Sequence, residues 1–322
     1  MPDTHPRLYG VLTTFKRPVD LERSLQFLGG QRRVLDRLIV VDNDPLPENQ
    51  VALRSYCALG LAAEYLPMKE NLGPAGGIAL AMKRILTRAN DRDWVVLFDD
   101  DEPPTSPLIL STLIESADAM RPREPRLGGV GLVGARIDWR RGRLQKVSKG
   151  PVDYLWSNTY PLYSVGALRQ AADYPREMFF GFEELEFGLR LSEAGFALHV
   201  VNPTSLRLSA AHDRRRQYPF LVGPLDWRRY YSLRNFIYML RSHGHPVVAA
   251  RISLIRGIGK PLANLLLRPG LALRHLRMNA LAIRDGWLGR LGRTVDPDGG
   301  RRRDGRVPVF SGVSTRSVTE RG

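Results

Sequence analysis

Three aspartates in a row, Asp99, Asp100 and Asp101, follow directly on the apolar run 94–98 (WVVLF). Adjacent carboxylates repel one another, so a fold tolerates them best where a cation compensates. Oxygen-rich sites select hard divalent ions, Mg²⁺ or Mn²⁺, which commonly bridge to substrate phosphates. A solvated acidic turn, or aspartates capping the next helix, would use the same residues. A second cluster, 71–77 (NLGPAGG), brings Asn71, Gly76 and Gly77 to the start of helix-compatible sequence. Glycines there let backbone approach a ligand, and a helix N-terminus favours phosphate. The segment is neither a P-loop, since no GK[ST] follows, nor GxGxxG; a tight turn is the alternative. Third come Glu183, Glu184 and Glu186, after the apolar run 178–182. At helical spacing Glu183 and Glu186 share a face and Glu184 points elsewhere. One such carboxylate at the mouth of a cleft could act as general base toward a hydroxyl. Interaction of all three with the helix dipole is the plainer reading. Last is His212, in SAAHDRR. A lone histidine is more often structural, but this one would add a nitrogen ligand if the chain returns it to Asp101.

These residues need elements to position them. Residues 9–14 (YGVLTT), 38–41 (LIVV), 63–66 and 94–98 read as strands. Helical segments fall at 19–29, whose Asp20 and Glu22 suit a first turn, and at 78–88. Asp42-Asn43-Asp44-Pro45 is a turn cluster. Strands alternating with helices imply a mostly parallel α/β sheet, with ligands beyond the carboxyl ends of the strands. The polar clusters of this first half fall at such ends. In the middle, 128–164 holds a strand followed by a hairpin or loop. Residues 183–195 form an amphipathic helix closed by Gly195, and 196–201 a short strand. Residues 225–240 are aromatic-rich and helix-compatible, and 252–292 alternates apolar blocks with Arg, Lys and His.

Composition narrows the partners. The chain has 322 residues, 43% of them hydrophobic, enough for a sizeable core. Lys and Arg number 48 against 33 Asp and Glu, a net +15 and a pI near 10.4. That excess points to nucleic acid, an anionic membrane surface or a phosphorylated substrate. Cys57 stands alone, so no internal disulfide forms. The N-terminal residues lack a signal peptide's apolar region, and no stretch reaches the roughly 18 apolar residues of a spanning helix. A cytoplasmic protein is expected, soluble or peripheral on the inner face of the cell membrane. No zinc-finger, RNP-like or homeodomain pattern supports nucleic acid as a partner.

Taken in order, the parts resemble family 2 glycosyltransferases of the GT-A fold. The resemblance starts with Thr13-Thr14-Phe15-Lys16-Arg17-Pro18, a T-[TY]-x-R-P-like segment, then VVDN at 40–43. N-x-G-x-[AG]-G-G and the three aspartates follow. Last comes G-F-E-E-x-E-[FY]-G-L-R-L-x-x-x-G-[FY] at 181–196, with a histidine beyond it. The match spans about residues 7–240. Within the family, EELEFGLRLSEAGF resembles bacterial galactofuranosyltransferases and rhamnosyltransferases. So does Asp226-Trp227-Arg228-Arg229-Tyr230-Tyr231-Ser232-Leu233-Arg234-Asn235, with its W-x-x-[YF]-[YF]-x-x-R-N pattern. One departure is Glu183-Glu184, where that subfamily often has aspartates.

The resemblance implies an inverting enzyme using Mn²⁺ or Mg²⁺. Thr13, Phe15, Arg17 and Asp42 would meet the base and ribose, and Asn71, Gly76 and Gly77 the nucleotide sugar. Asp99 and Asp101 would hold the metal, with Asp99 and Asp100 also at the nucleotide and His212 a further ligand. Glu184 would be the base, with Glu183 the second candidate. The implied donor is UDP-galactofuranose, or dTDP-rhamnose in the alternative, and the acceptor a glycan or lipid-linked saccharide such as a polyprenyl-linked one. Domains follow: 1–225 binds the nucleotide sugar and catalyses, 226–293 is a basic amphipathic helical region, and 294–322 is a disordered tail. The helical region would lie on an anionic membrane, or pack on the catalytic domain or a second copy in a homo-oligomer. Three rival classes stand beside this reading: a nucleic-acid-binding protein, a nucleotidyltransferase and a non-catalytic membrane scaffold. A nucleotidyltransferase would be expected to carry a glycine-rich basic fingerprint after the first strand, and 13–18 has no glycine.

Overall fold

The sheet grows from apolar runs buried on both faces, which is what parallel strands require. The computed structural model describes residues 5–103, 106–201 and 227–296. Strand β1 (Leu8–Thr14) is followed by α1 (Pro18–Gly29), β2 (Arg37–Asp42), α2 (Pro47–Ala58) and β3 (Ala63–Pro67). Then come α3 (Gly73–Leu86), β4 (Trp94–Asp99), α4 (Ile109–Met120) and β5 (Leu127–Gly131). Along β1 the side chains alternate. Leu8 and Leu12 enter one core layer with Leu21, Leu53 and Leu113, while Tyr9 and Val11 enter the other with Ala75, Ile78 and Ala81. The helices α1, α2 and α4 thus cover one face, and α3 the opposite one.

The single strand expected from 128 is split into β5 and β6 (Gly134–Asp138), and β6 forms a hairpin with β7 (Arg143–Val147), joined by β9 (Tyr154–Leu155) in a small three-stranded sheet, order β7-β6-β9. β8 (Gly150–Val152), β10 (Leu162–Ser164), α5 (Val165–Gln170), α6 (Glu183–Glu193) and β11 (Ala197–Val200) complete this half. The large sheet has eight strands in the order β3-β2-β1-β4-β10-β5-β11-β8. β3, β2, β1 and β4 run parallel, β10 lies antiparallel between β4 and β5, and β11 is parallel to β5. The strand order turns back on itself at β1, which pairs with β2 on one side and β4 on the other. Such a switch point opens a crevice beyond the strand ends.

Downstream lie α7 (Trp227–Ser242), α8 (Pro246–Ile252), a π-helical stretch (Ser253–Gly259), α9 (Lys260–Ala263) and α10 (Pro269–Leu288). α7 is the hub: Tyr230, Tyr231, Phe236 and Leu240 pack in one cluster with Leu185 of α6, Ile137 of β6 and Ala282 of α10. Contrary to the expected tail from 294, Thr294 and Val295 are buried. The Tyr231 hydroxyl donates to the Val295 carbonyl at 2.6 Å, and Tyr230 and Thr294 share a 2.8 Å hydrogen bond. Residues 297–322, which include the rest of that expected tail, lie outside the described residues. No described helix is long and apolar enough to cross a membrane.

Candidate active site

Register brings the first elements of the site together. In the β1–β4 pairing Thr13 stands opposite Asp99, and in β1–β2 Thr14 stands opposite Asp42. A cleft of about 190 Å³ opens at these ends. Of the residues expected at the nucleotide, Thr13, Phe15, Arg17, Asn71, Asp99 and Asp100 line it. Thr14, Asn43, Gly73 and Pro74, and from the opposite wall Phe179, Phe180, Trp227 and Arg228, line it as well.

Three expectations change here. Asp42 is fully buried and its carboxylate is spoken for: Asn49 donates at 2.7 Å, the Tyr65 hydroxyl at 2.6 Å and the Asp44 backbone N–H at 3.0 Å. It ties β2 to α2 and β3 and does not line the cleft; the neighbouring Asn43 does. Gly76 and Gly77 lie inside α3, not before it. A Cβ on Gly77 would stand 2.8 Å from Thr13 Cγ2, and one on Gly76 would stand 2.8 Å from Leu72 Cβ. Gly77 thus seats the helix on β1 and Gly76 clears Leu72 at the helix start, and neither is among the residues lining the cleft. Arg17 lines the cleft but spends its guanidinium on carboxylates, 3.0 Å from Asp100 and 2.6 Å from Asp101.

The loop before α3 is folded by two asparagines. Asn43 Oδ1 accepts the Leu72 N–H and Asn71 Oδ1 the Gly73 N–H, each at 2.8 Å. Gly73 has φ +70°, and a Cβ there would meet the Phe179 carbonyl oxygen at 2.2 Å. Only glycine fits this approach between the two walls.

One carboxylate oxygen from each of Asp99, Asp100 and Asp101 lies within 4.8 Å of the others. Asp100 accepts the Thr14 hydroxyl at 2.8 Å besides Arg17. Asp99 is different: burial first, then Asp100, Asp101, Glu184 and Glu102, push it up to about 8. Among the described residues Arg17 is the cation that pairs with the cluster. Hard oxygen donors converging in this way fit a divalent ion, which would restore Asp99 to the carboxylate form. His212 lies outside the described residues.

The opposite wall is the segment ahead of α6. Phe179 and Phe182 adopt positive φ, +62° and +68°, without being glycine, and Gly181 sits at +81° between them. Such backbone is strained by roughly 1–3 kcal/mol per residue and persists only where its surroundings impose it. Here the imposition comes from α7. The amide nitrogen of Asn235 lies 2.8–3.0 Å from the carbonyl oxygens of Met178, Phe180 and Gly181, and Arg234 Nη2 donates to Met178 O at 2.9 Å. Both side chains are fully buried. Phe179 packs against Tyr231 with ring centroids 4.8 Å apart.

This backbone launches Glu183 and Glu184. Glu183 and Glu186, placed on one face by helical spacing, meet different partners. Glu186 turns away to Arg190 at 3.1 Å and His243 at 2.9 Å. Glu183 is raised by burial, by Glu184 and by Asp99, and its Oε2 has no hydrogen-bond partner among the described residues. Glu184, partly exposed, accepts the Ser157 hydroxyl. Burial raises it too, with the hydrogen bonds from Ser157 opposing. Two carboxyls of raised proton affinity therefore sit close enough to feel the aspartate cluster.

No family model matches the chain. Among solved structures, the mannosyltransferase PcManGT from Pyrobaculum calidifontis, in complex with GDP-Man and Mn²⁺, superposes with TM-score 0.53 at 15% identity. The overlap covers 89% of this chain and 87% of that one. The fold is GT-A. In sequence, this GT-A chain resembles galactofuranosyltransferases. It is 40% identical over 111 residues to galactofuranosyltransferase GlfT1 of Mycobacterium tuberculosis, 34% of this chain and 36% of that one. To GlfT1 of Mycolicibacterium smegmatis it is 39% identical over 107 residues, 33% and 34%. The chain thus spans about a third of the length of the curated relatives it matches. The mostly parallel α/β sheet expected from alternating strands and helices, and the GT-A fold that the resemblance implied, are those observed.

Sequence reasoning missed the wall of Phe179, Phe180, Trp227 and Arg228 as cleft lining. The W-x-x-[YF]-[YF]-x-x-R-N segment was the available signal, since its Arg234 and Asn235 organise that wall.

Proposed function

We propose that this chain is an inverting glycosyltransferase that moves a sugar from a nucleoside diphosphate to an acceptor hydroxyl with the help of Mn²⁺ or Mg²⁺. One observation carries the reading. The Asp99–Asp101 cluster stands at the switch point of a GT-A sheet, across from a helix start bearing two carboxyls of raised proton affinity. The names of the sequence relatives favour galactofuranose, carried by UDP, as the sugar. The acceptor is a hydroxyl of a glycan or lipid-linked saccharide, reached at an anionic membrane surface.

Thr13 and Phe15 receive the base and ribose, and Asn71 with its loop the nucleotide sugar. Asp99 and Asp101 would hold the ion, with His212 as a further ligand. When bound, the ion supplies charge neutralisation for the diphosphate leaving group. Arg17 keeps Asp100 and Asp101 oriented. Glu184, fixed by Ser157, takes the acceptor proton as the hydroxyl oxygen attacks the anomeric carbon opposite the diphosphate. A proton affinity above the ordinary carboxylate range suits a general base that must pull on a weakly acidic hydroxyl. One in-line displacement inverts the centre and requires no covalent intermediate.

The test incubates purified chain with UDP-, dTDP- and GDP-sugars and Mn²⁺, with UDP-galactofuranose and dTDP-rhamnose in the panel, and follows nucleoside diphosphate release with and without EDTA. Metal-dependent consumption of UDP-galactofuranose is expected. Turnover of dTDP-rhamnose alone would replace the sugar. An absence of metal-dependent binding of any nucleotide would sink the transferase reading.

A further inference from the structure

The donor cleft is bounded by two pieces of chain, the loop 71–74 leading into α3 and the wall of Phe179 and Phe180 ahead of α6. That wall is narrow: Phe180 and Arg228 line the cleft, whereas their near neighbours Phe182 and Arg229 line a second cavity of about 590 Å³. Hydrogen bonds from α7 hold it, and the same helix grips a third piece of chain. This is the segment 292–296, which follows α10. Arg234 Nη1 donates to the Gly292 carbonyl at 2.7 Å and to Thr294 Oγ1 at 3.0 Å. The Val295 N–H donates to the Tyr231 hydroxyl at 3.0 Å, which donates back to the Val295 carbonyl at 2.6 Å. Gly292 takes φ +82° with open space where a Cβ would stand, so the backbone turn and not crowding calls for glycine.

From these anchors the segment reaches both sides of the cleft. The Gly292 N–H donates to the Glu177 carbonyl at 2.6 Å, two residues before Phe179. Arg293 Nη1 donates to the Asn71 carbonyl at 3.3 Å, 222 positions away in sequence, and Nη2 is braced by Asp296 at 2.8 Å. The Arg293 side chain is 10% exposed, so its charge is largely withdrawn from water. Such desolvation is costly, and the segment does not need it for its own docking, since α7 already anchors Gly292, Thr294 and Val295. What the guanidinium adds is the bond to Asn71, whose side-chain oxygen folds the loop by accepting the Gly73 N–H. A continuous chain of bonds thus runs from Asn71 through Arg293 and Gly292 to Glu177.

We propose that Arg293 is a positioning residue for the nucleotide-sugar donor: it ties the Asn71 loop to the opposite wall and so fixes the width of the cleft. The proposal rests on the transferase reading above. Arg293 does not line the cleft and acts on the donor through Asn71, which does.

Titration of the full chain with UDP in Mn²⁺, beside hydrogen exchange of residues 71–77, tests it. In Arg293→Gln, UDP binding should weaken roughly tenfold, as for the loss of one charge-assisted hydrogen bond, with faster exchange confined to the loop. In the transfer assay KM for the sugar nucleotide should rise by the same factor with kcat little changed, a split that a contact serving stability alone would not produce. Arg293→Lys keeps a charged donor and should lie between, roughly threefold weaker than wild type. It decides alone if thermal unfolding shows that Arg293→Gln does not fold. Unchanged UDP binding in the variants overturns the proposal. So does faster exchange spread over the whole chain, which would make Arg293 a contact for stability only. Loss of loop protection in a chain with no Mn²⁺-dependent UDP binding would sink the transferase reading while leaving the tie between the walls standing.

Discussion

Asp99, Asp100 and Asp101 end a strand; Glu183, Glu184 and Glu186 begin a helix. Each group mixes carboxylates the protein has satisfied with one it has not. At the strand, Asp100 is held by Thr14 and Arg17, and Asp101 by Arg17, while Asp99 is left among like charges. At the helix, Glu186 is paired with Arg190 and His243, and Glu184 with Ser157, while Glu183 keeps a buried oxygen without a partner among the described residues. The strand cluster lines an open cleft and asks for a cation. At the helix, burial raises Glu183 and Glu184, beside Tyr163 and Tyr174, while Glu186 is held low by its partners. Composition alone does not separate these behaviours; the neighbours do.

The sharpest way to break that contrast is Asp101→Ala, which should remove the donor site's charge and leave sugar transfer below detection in the nucleotide-release assay. Transfer at the wild-type rate would mean that the strand cluster is a solvated turn. Next is Glu184→Gln. A lost general base lowers kcat by roughly 10²–10⁴-fold, with Mn²⁺-dependent UDP binding still measurable by titration. Glu183→Gln should be the milder of the two; the reverse order would exchange their roles. Asn235→Ala tests the scaffold rather than the chemistry. It strips a donor from the carbonyl oxygens of Phe180 and Gly181, while Met178 keeps that of Arg234, and a loss of roughly 1–3 kcal/mol per unsatisfied group is expected in urea unfolding.

The smallest effect concerns the satisfied member of the helix group. Burial works against Glu186, but the hydrogen bond and charge of His243, then Arg190, hold it below its ordinary 4.5. The Glu186 hydrogen bond raises His243 above its ordinary 6.5, with burial opposing. Glu186's contribution is complete above about 4.5 and is lost as pH falls through its lower folded value. That of His243 is complete below about 6.5 and is lost as pH rises through its higher folded value. The stability difference between wild type and His243→Gln should therefore be largest between about 4.5 and 6.5. A difference that does not vary with pH would show that the pair carries no linked charge.

Much of the fold was legible because parallel strands buried on both faces appear as unbroken apolar runs. The helices α2 and α4 were not read. α2 opens on Pro47, Glu48, Asn49 and Gln50, a polar start that follows a turn cluster and blurs any stripe. That omission explains Asp42, whose carboxylate is consumed by Asn49 of α2 and Tyr65 of β3. Glu186 was placed with Glu183 because helical spacing knows nothing of His243, 57 residues away. The positive φ of Phe179 and Phe182 leaves no trace in residue type, since neither is glycine. The strand-end aspartates and the α6 glutamates were legible as candidates, because consecutive carboxylates after an apolar run are conspicuous in any sequence.

Arg228 and Arg229 are consecutive, yet they line different cavities. The partition between the two is thus formed by the adjacent pair Arg228 and Arg229 on α7 and by the three residues Phe180–Phe182. Substitutions on its two sides share backbone, and residues that share backbone rarely act independently. Ligand preference at the two cavities should then be inherited as a block. A library that varies one side while holding the other fixed would recover fewer active combinations than one that varies both together.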